Sequence, residues 1–212
     1  MLGLVSASVQ GDPRPRRRPD RRQPDRRREI AAAAHRVIDR LGMDGASMRE
    51  IAREAGCTTG SLTHHFSGRR ELLDYAVGVV CEESTDRLVA TARSGSLLDA
   101  LAEYLPLDEP RRLEAVIWVL GIAEAARDPR MAASLARRSA ATNDLIAEAL
   151  GERLRREGRQ VDDEELGLVV DEIVCGADGI AASALSEPDR YPPQRQLELA
   201  RRLLARMDLL GP

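Results

Sequence analysis

Apolar residues recur along most of this chain at spacings of three and four, the repeat that lines one face of a helix. Ile30, Ala33, Ala34, Val37, Ile38 and Leu41 make the first run, and Gly42 closes it as a C-cap. Ser47-Met48-Arg49-Glu50 then has the form of a capping box, with Ser47 accepting from the backbone and Glu50 reaching back. The short helix it opens carries Ile51, Ala52 and Ala55 on its apolar side and stops at Gly56. Thr58 is placed to cap a third helix, Thr59 to Phe66. Beyond it the pattern predicts a long helix over 69–93, a short one over 97–105 before Pro106, and one over 111–126 whose Val116–Leu120 stretch is apolar all round. Pro129 opens a helix to about Arg156, with Gly158 after it. Asp162 or Asp163 caps another through Ala184, and residues 194–209 make the last. The chain reads as all-α.

The segment GCTTGSLTHHF (Gly56 to Phe66) breaks the Ala/Leu/Arg monotony. Two short helices joined by a turn containing Gly form a helix-turn-helix. At about 100° per residue, Leu62 and Phe66 share the side that packs inward, with Thr58 beside them. Gly60 and His64 fall almost opposite, flanked by Ser61 and Thr63. That outward side has no apolar stripe for a partner helix and no carboxylate for catalysis. Its hydroxyls, ring nitrogens and the close approach allowed by Gly60 suit the major groove of DNA. Adjacent histidines point in two directions and lack a third ligand, so no metal site is expected. No nucleophile or carboxylate is oriented with them as a catalytic histidine needs, and His65, nearer the packed side, has a partly structural reading.

Composition sharpens this reading in a few places. Of 212 residues, 43% are hydrophobic and only 2% aromatic, so the core must be aliphatic. The net charge of −3 hides an asymmetry: residues 1–75 carry 15 Arg against 10 acids, and the rest carries 17 against 25. A basic front suits a polyanion. Residues 1–24, with DPRPRRRPDRRQP, cannot bury enough apolar surface to fold and are expected to form a disordered arm, either solvating or DNA-contacting. Cys57, Cys81 and Cys175 are odd in number and in no metal spacing, which reads as reduced thiols in a cytoplasmic protein. The opening MLGLVSASV is too short for a signal sequence, and nothing approaches a membrane span. No cofactor is expected.

From RREIAAAAHRVIDRLGMDGASMREIAREAGCTTGSLTHHFSGRRELLDYAV, residues 27–77, the chain resembles the TetR family of transcriptional regulators. The matching features are an alanine-paired helix ending at Gly, a Ser-capped I-A-x-x-A-G helix, a G-x-hydrophobic recognition helix and H-F. Two departures stand out: Thr63 where the family commonly has Tyr, and Arg69 where it usually has Lys. A threonine reaches less far, and an arginine meets phosphate as a planar fork. The resemblance implies an N-terminal three-helix DNA-binding domain over 25–70 and a larger helical effector-binding and dimerisation domain over 71–212. Ser47 and Arg49 would approach the groove edge. Thr58, Thr59, Gly60, Ser61, Thr63, His64 and His65 would form the recognition surface, Arg69 would hold a phosphate, and Arg26, Arg27 and Arg28 would lie by the DNA backbone.

The remainder resembles the choline-pathway repressor subgroup more weakly, through WVLGIAEAARDPRMAASL and GADGIAAS. In that family the last two helices pair with their copies, which fits the small residues Gly176, Ala177, Gly179, Ala181 and Ala182. The implied protein is a homodimeric repressor of a double-stranded, pseudo-palindromic operator, released by a small-molecule effector of unknown identity. Tyr104 and Trp118 are the candidate pocket aromatics, with Ile122 beside them and Glu114 or Asp178 as polar anchor. A lone Trp in an aliphatic core is more often simply core than ligand-contacting. The alternative is a small-molecule-binding protein or enzyme with a vestigial DNA module, which the complete recognition surface disfavours.

Overall fold

Nine helices follow one another through residues 22–207, the part of the chain described by the computed structural model. They are α1 (Arg22–Gly45), α2 (Met48–Glu54), α3 (Thr59–Thr63), α4 (Arg69–Ser94), α5 (Leu97–Ala102), α6 (Glu109–Ala125), α7 (Pro129–Arg156), α8 (Asp163–Ser186) and α9 (Pro193–Arg206). Helix α1 begins at Arg22, three residues inside the stretch read as a disordered arm; residues 1–21 lie outside the described part. Gly42 interrupts α1 at φ 70°, a left-handed conformation open to Gly at little cost.

The punctuation residues act largely as the sequence implies. Ser47 accepts from the Glu50 N–H at 3.2 Å, Thr58 from the Ser61 N–H at 3.1 Å, and Asp162 from the Glu165 N–H at 2.8 Å. The capping box at Ser47 is only half made. The Ser47 N–H donates to the Gly45 carbonyl, and the Glu50 carboxylate is taken by Arg53 at 2.6 Å. Helix α3 ends at Thr63, three residues short of the expected limit, although the Phe66 N–H still donates to the Leu62 carbonyl. The 116–120 stretch is less enclosed than an all-apolar run implies: Ile117 is buried, while Val116, Trp118, Val119 and Leu120 are half-buried.

Two apolar clusters organise the packing. The first joins Ile30, Val37, Ile38, Ile51, Leu62 and Phe66 to Leu72, Leu73 and Val77 of α4, and reaches Ile117 of α6 and Met131 of α7. The second gathers Leu88 of α4 with Leu101, Leu105, Ile146, Leu150, Val170 and Leu204. Helices α4 and α7 run side by side through both. Their register is marked by Thr85 Oγ1 against Thr142 Oγ1 at 3.1 Å and by Arg153 donating to the Gly95 carbonyl at 3.1 Å. At Gly78 the α4 backbone is bare, and the Arg138 guanidinium of α7 occupies the space a side chain would need. Helix α4 is thus anchored to the first three helices at one end and to the larger bundle along the rest of its length.

Candidate nucleic-acid interface and effector cavity

Helix α3 is seated by two side chains. Leu62 and Phe66 are buried at 0% and 1% exposure, each contributing about 1.5–3 kcal/mol by leaving water. That seating turns Thr58, Thr59, Gly60, Thr63 and His64 outward, where all five are exposed; Ser61 and His65 are half-buried. The Thr63 hydroxyl donates back to the Gly60 carbonyl at 2.9 Å, which leaves its lone pairs facing out as acceptors. The Ser47 oxygen is occupied by its cap, and Arg49 is exposed with no hydrogen bond or ion pair among the described residues.

The basic residues named from the sequence divide by what they already hold. The Arg27 guanidinium lies 4.4 Å from the Phe66 ring centre and 4.5 Å from that of Tyr75, and pairs with Glu71 at 3.0 Å. Glu71 in turn accepts from the Ser67 N–H at 2.7 Å, so Arg27 fastens the end of α3 to α4 instead of standing free beside DNA. Arg69 is similarly engaged: its Nε donates to the Ala46 carbonyl at 2.9 Å and its Nη2 to the Met43 carbonyl, tying α4 to the α1–α2 link. Arg26 pairs with Glu29 at 2.6 Å, and Arg28 lies 3.6 Å from Glu83 and 3.8 Å from Glu82. The sequence pattern could not show these roles, because each partner except Glu29 comes from a segment distant in the chain.

Four of the five residues named as pocket candidates meet in one cavity. Tyr104, Glu114, Trp118 and Asp178 line it together with Val80, Cys81 and Ser84 of α4, and Glu103, Arg111, Ala115 and Ala181. Ile122 does not; it lies one turn beyond Trp118 along α6, 44% exposed. The Trp118 Nε1–H donates to Asp178 Oδ1 at 3.0 Å, joining α6 to α8. Burial raises the Asp178 carboxyl above the usual range, opposed by that hydrogen bond. Burial likewise raises Glu114, against its pairing with Arg87 of α4, and pushes the Tyr104 phenol up to about 12. The Cys81 thiol is pushed up to about 11, again by burial, which disfavours its thiolate. Arg87 also pairs with Glu103 at 3.2 Å, which links α4, α5 and α6 by one guanidinium. The space itself is about 40 Å³, enough for a few waters.

Comparison with known proteins finds matches over both of these regions. Residues 30–76 match the description "Bacterial regulatory proteins, tetR family", and residues 94–209 match "BetI-type transcriptional repressor, C-terminal". The chain belongs to the TetR family of transcriptional regulators. The PksA regulator of Bacillus subtilis is 43% identical over 98 residues, which are 44% of this chain and 48% of that protein. A helix-turn-helix-type repressor of Mycobacterium tuberculosis is 30% identical over 133 residues, covering 62% of this chain and 66% of its own length. The chain therefore spans about half the length of the curated relatives it matches. Among solved structures, a transcriptional regulator from Rhodococcus superposes with a TM-score of 0.74 at 28% identity, covering 88% of this chain and 99% of that one. A regulator from Saccharomonospora viridis, solved in complex with choline, has a TM-score of 0.71 at 19% identity over 86% and 96% of the two chains, and shares the fold.

The cavity residues the sequence reading missed are instructive. Cys81 and Ser84 lie about one turn apart on α4, just past the buried run of residues 76–80, and extend the wall that Val80 presents to the cavity. Glu103 and Arg111 flank the α5–α6 loop and carry no comparable signal. No helix among the described residues is long and apolar enough to cross a membrane, and no group of three or more metal-ligating side chains forms there.

Proposed function

We propose that two copies of this chain repress transcription by binding a pseudo-palindromic operator through paired α3 helices, and that a small molecule entering the α4–α6–α8 cavity releases them. The observation that carries this reading is the position of α4. It begins three residues after Phe66, and its Val80, Cys81 and Ser84 form one wall of the cavity. A cavity of about 40 Å³ is roughly a tenth of what small-molecule sites enclose. An effector must therefore push its walls apart, and α4 moves with them. Half-sites on one face of DNA lie about 34–36 Å apart, so a change in α3 spacing lowers affinity. A coupling of about 1–3 kcal/mol is the usual scale.

In this reading Thr59, Gly60, Thr63 and His64 meet base edges, while Arg49 and the exposed Thr58 meet backbone or groove edge. Trp118 and Tyr104 with Asp178 and Glu114 suit an effector carrying a cationic or hydrogen-bond-donating group; the choline complex of the Saccharomonospora fold neighbour accords with that chemistry. Dimerisation through α8 and α9 is supported by an exposed stripe on α8, Leu168, Cys175, Gly179 and Ala182, with Leu168 57% exposed. The site of action would be the cytoplasm. Footprinting on the DNA upstream of the protein's own gene, repeated with candidate amines, tests the whole reading. Protection of a palindrome that is relieved by an effector is the expected result, and no protected palindrome at moderate salt overturns it.

A further inference from the structure

The acids and bases around the start of α4 are unevenly committed. An open cleft of about 480 Å³ lies between the first turns of α4 and α7, lined by Ser67, Gly68, Arg69 and Arg70 on one side and Arg130 and Arg137 on the other. It adjoins Phe66, where the recognition segment ends. Its carboxylates are engaged: Glu71 holds Arg27 and the Ser67 N–H, and Asp74 lies 3.8 Å from Arg138. Arg69 is turned toward the Met43 and Ala46 carbonyls, and Arg70 is held by Asp128 at 2.9 Å. That last pair also clamps the α6–α7 turn against the start of α4. Arg130 and Arg137, seven residues apart on one side of α7, are exposed and have no ion pair among the described residues. Arg127, in the clamped turn, is also exposed and unpaired among them.

We infer that Arg130 and Arg137 of the effector domain form an accessory phosphate-contacting surface that extends the DNA footprint beyond the helix-turn-helix. The inference rests on the operator-binding reading above. The physical basis is a substitution of roles. The arginines at the head of α4 spend their forks on the protein's own carbonyls and carboxylate, so neighbouring duplex phosphates are left to the uncommitted pair on α7. Guanidinium groups without internal partners gain most from a polyanion, because each phosphate neutralised releases counterions. Interactions of this kind add affinity and salt sensitivity without choosing bases. Because α7 also borders α4 along its length, such an interaction would make the effector domain's position felt directly at the DNA.

The test compares the double variant Arg130→Ala/Arg137→Ala with Arg93→Ala/Arg155→Ala, which removes the same charge at the opposite ends of α4 and α7. All four side chains are exposed, so both variants are expected to keep the fold. Binding to an operator fragment is measured across a salt series, with thermal melting as the check on folding. The expected result is a salt slope lower by about one for every phosphate left without its arginine, hence about two to four for a dimer, with affinity down about tenfold at low salt and base preference unchanged. The control variant should match the wild type. Equal slopes for the two variants overturn the inference, as does saturable binding of inorganic phosphate in the cleft without DNA, which would make it a site for a free anion. If the wild type itself protects no palindrome, the operator reading fails first and this inference falls with it; if the wild type binds and only the slopes agree, the accessory surface alone is rejected.

Discussion

The two functional regions at either end of the first half of α4 treat their polar side chains in opposite ways. Around α3, Thr58, Thr59, Thr63, His64 and Arg49 are exposed, and the hydrogen bonds that exist there close caps or turns. At the cavity, Trp118 donates to Asp178 and Glu114 pairs with Arg87 just outside it, each across helices, and burial raises both acids. A surface meant for an external partner can leave groups uncommitted because water satisfies them meanwhile. A buried site cannot, since each unpaired polar group there costs about 1–3 kcal/mol. The recognition surface should therefore accept substitutions with little loss of fold, while the cavity should not.

The sharpest challenge to that contrast is Phe66, the larger of the two core residues beneath the recognition surface. Phe66→Ala should cost about 3–5 kcal/mol through the void it leaves, and also removes one of the two rings around Arg27. Denaturant melts should show the loss, and DNA binding should vanish with it; a stable variant that still binds would mean α3 is seated otherwise. Next in size, Trp118→Phe deprives the half-buried Asp178 of its donor, at about 1–3 kcal/mol. Burial already raises the Asp178 carboxyl above its ordinary range, so the folded chain holds that proton more tightly than the unfolded one. The penalty should accordingly shrink as pH falls, and a pH-independent loss would show that the bond is not what was removed.

A smaller effect is expected at the interface. Thr58→Ala removes the α3 cap and should cost about 1 kcal/mol, whereas Thr59→Ala, exposed and uncapping nothing, should leave the melt unchanged and alter only operator preference. Equal melting shifts for both would erase the distinction between seating and reading. The smallest effect belongs to His35, whose Nε2 sits 2.8 Å from the Ala76 carbonyl between α1 and α4. Burial lowers its pKa below the ordinary 6.5, so the unfolded chain takes up the proton more readily than the folded one. Its contribution is complete above that value and lost as pH falls toward the lowered pKa. Melts of the wild type and His35→Gln at about pH 7.5 and about pH 5.5, one unit either side of the ordinary histidine value, should draw together at the lower pH.

Helix positions, caps and the outward face of α3 were written in the chain itself, because they depend on neighbours three or four residues away. Gly42, Ser47, Thr58, Pro129, Asp162 and the Leu62–Phe66 pair each act within one or two turns, and local chemistry sets their behaviour. The lesser misreadings, α3 ending at Thr63 and the half-made capping box, arose where an Arg or the turn geometry competed for the same groups. Tertiary structure alone decided which arginines are spent and which are spare. Arg27 finds Phe66, Tyr75 and Glu71, Arg69 finds the α1–α2 link, and Arg130 and Arg137 find no partner among the described residues. It also decided that Ile122 misses a cavity built by Trp118, one turn away. A long side chain's charge is fixed by its identity, but its work is fixed by what the fold brings within reach of it.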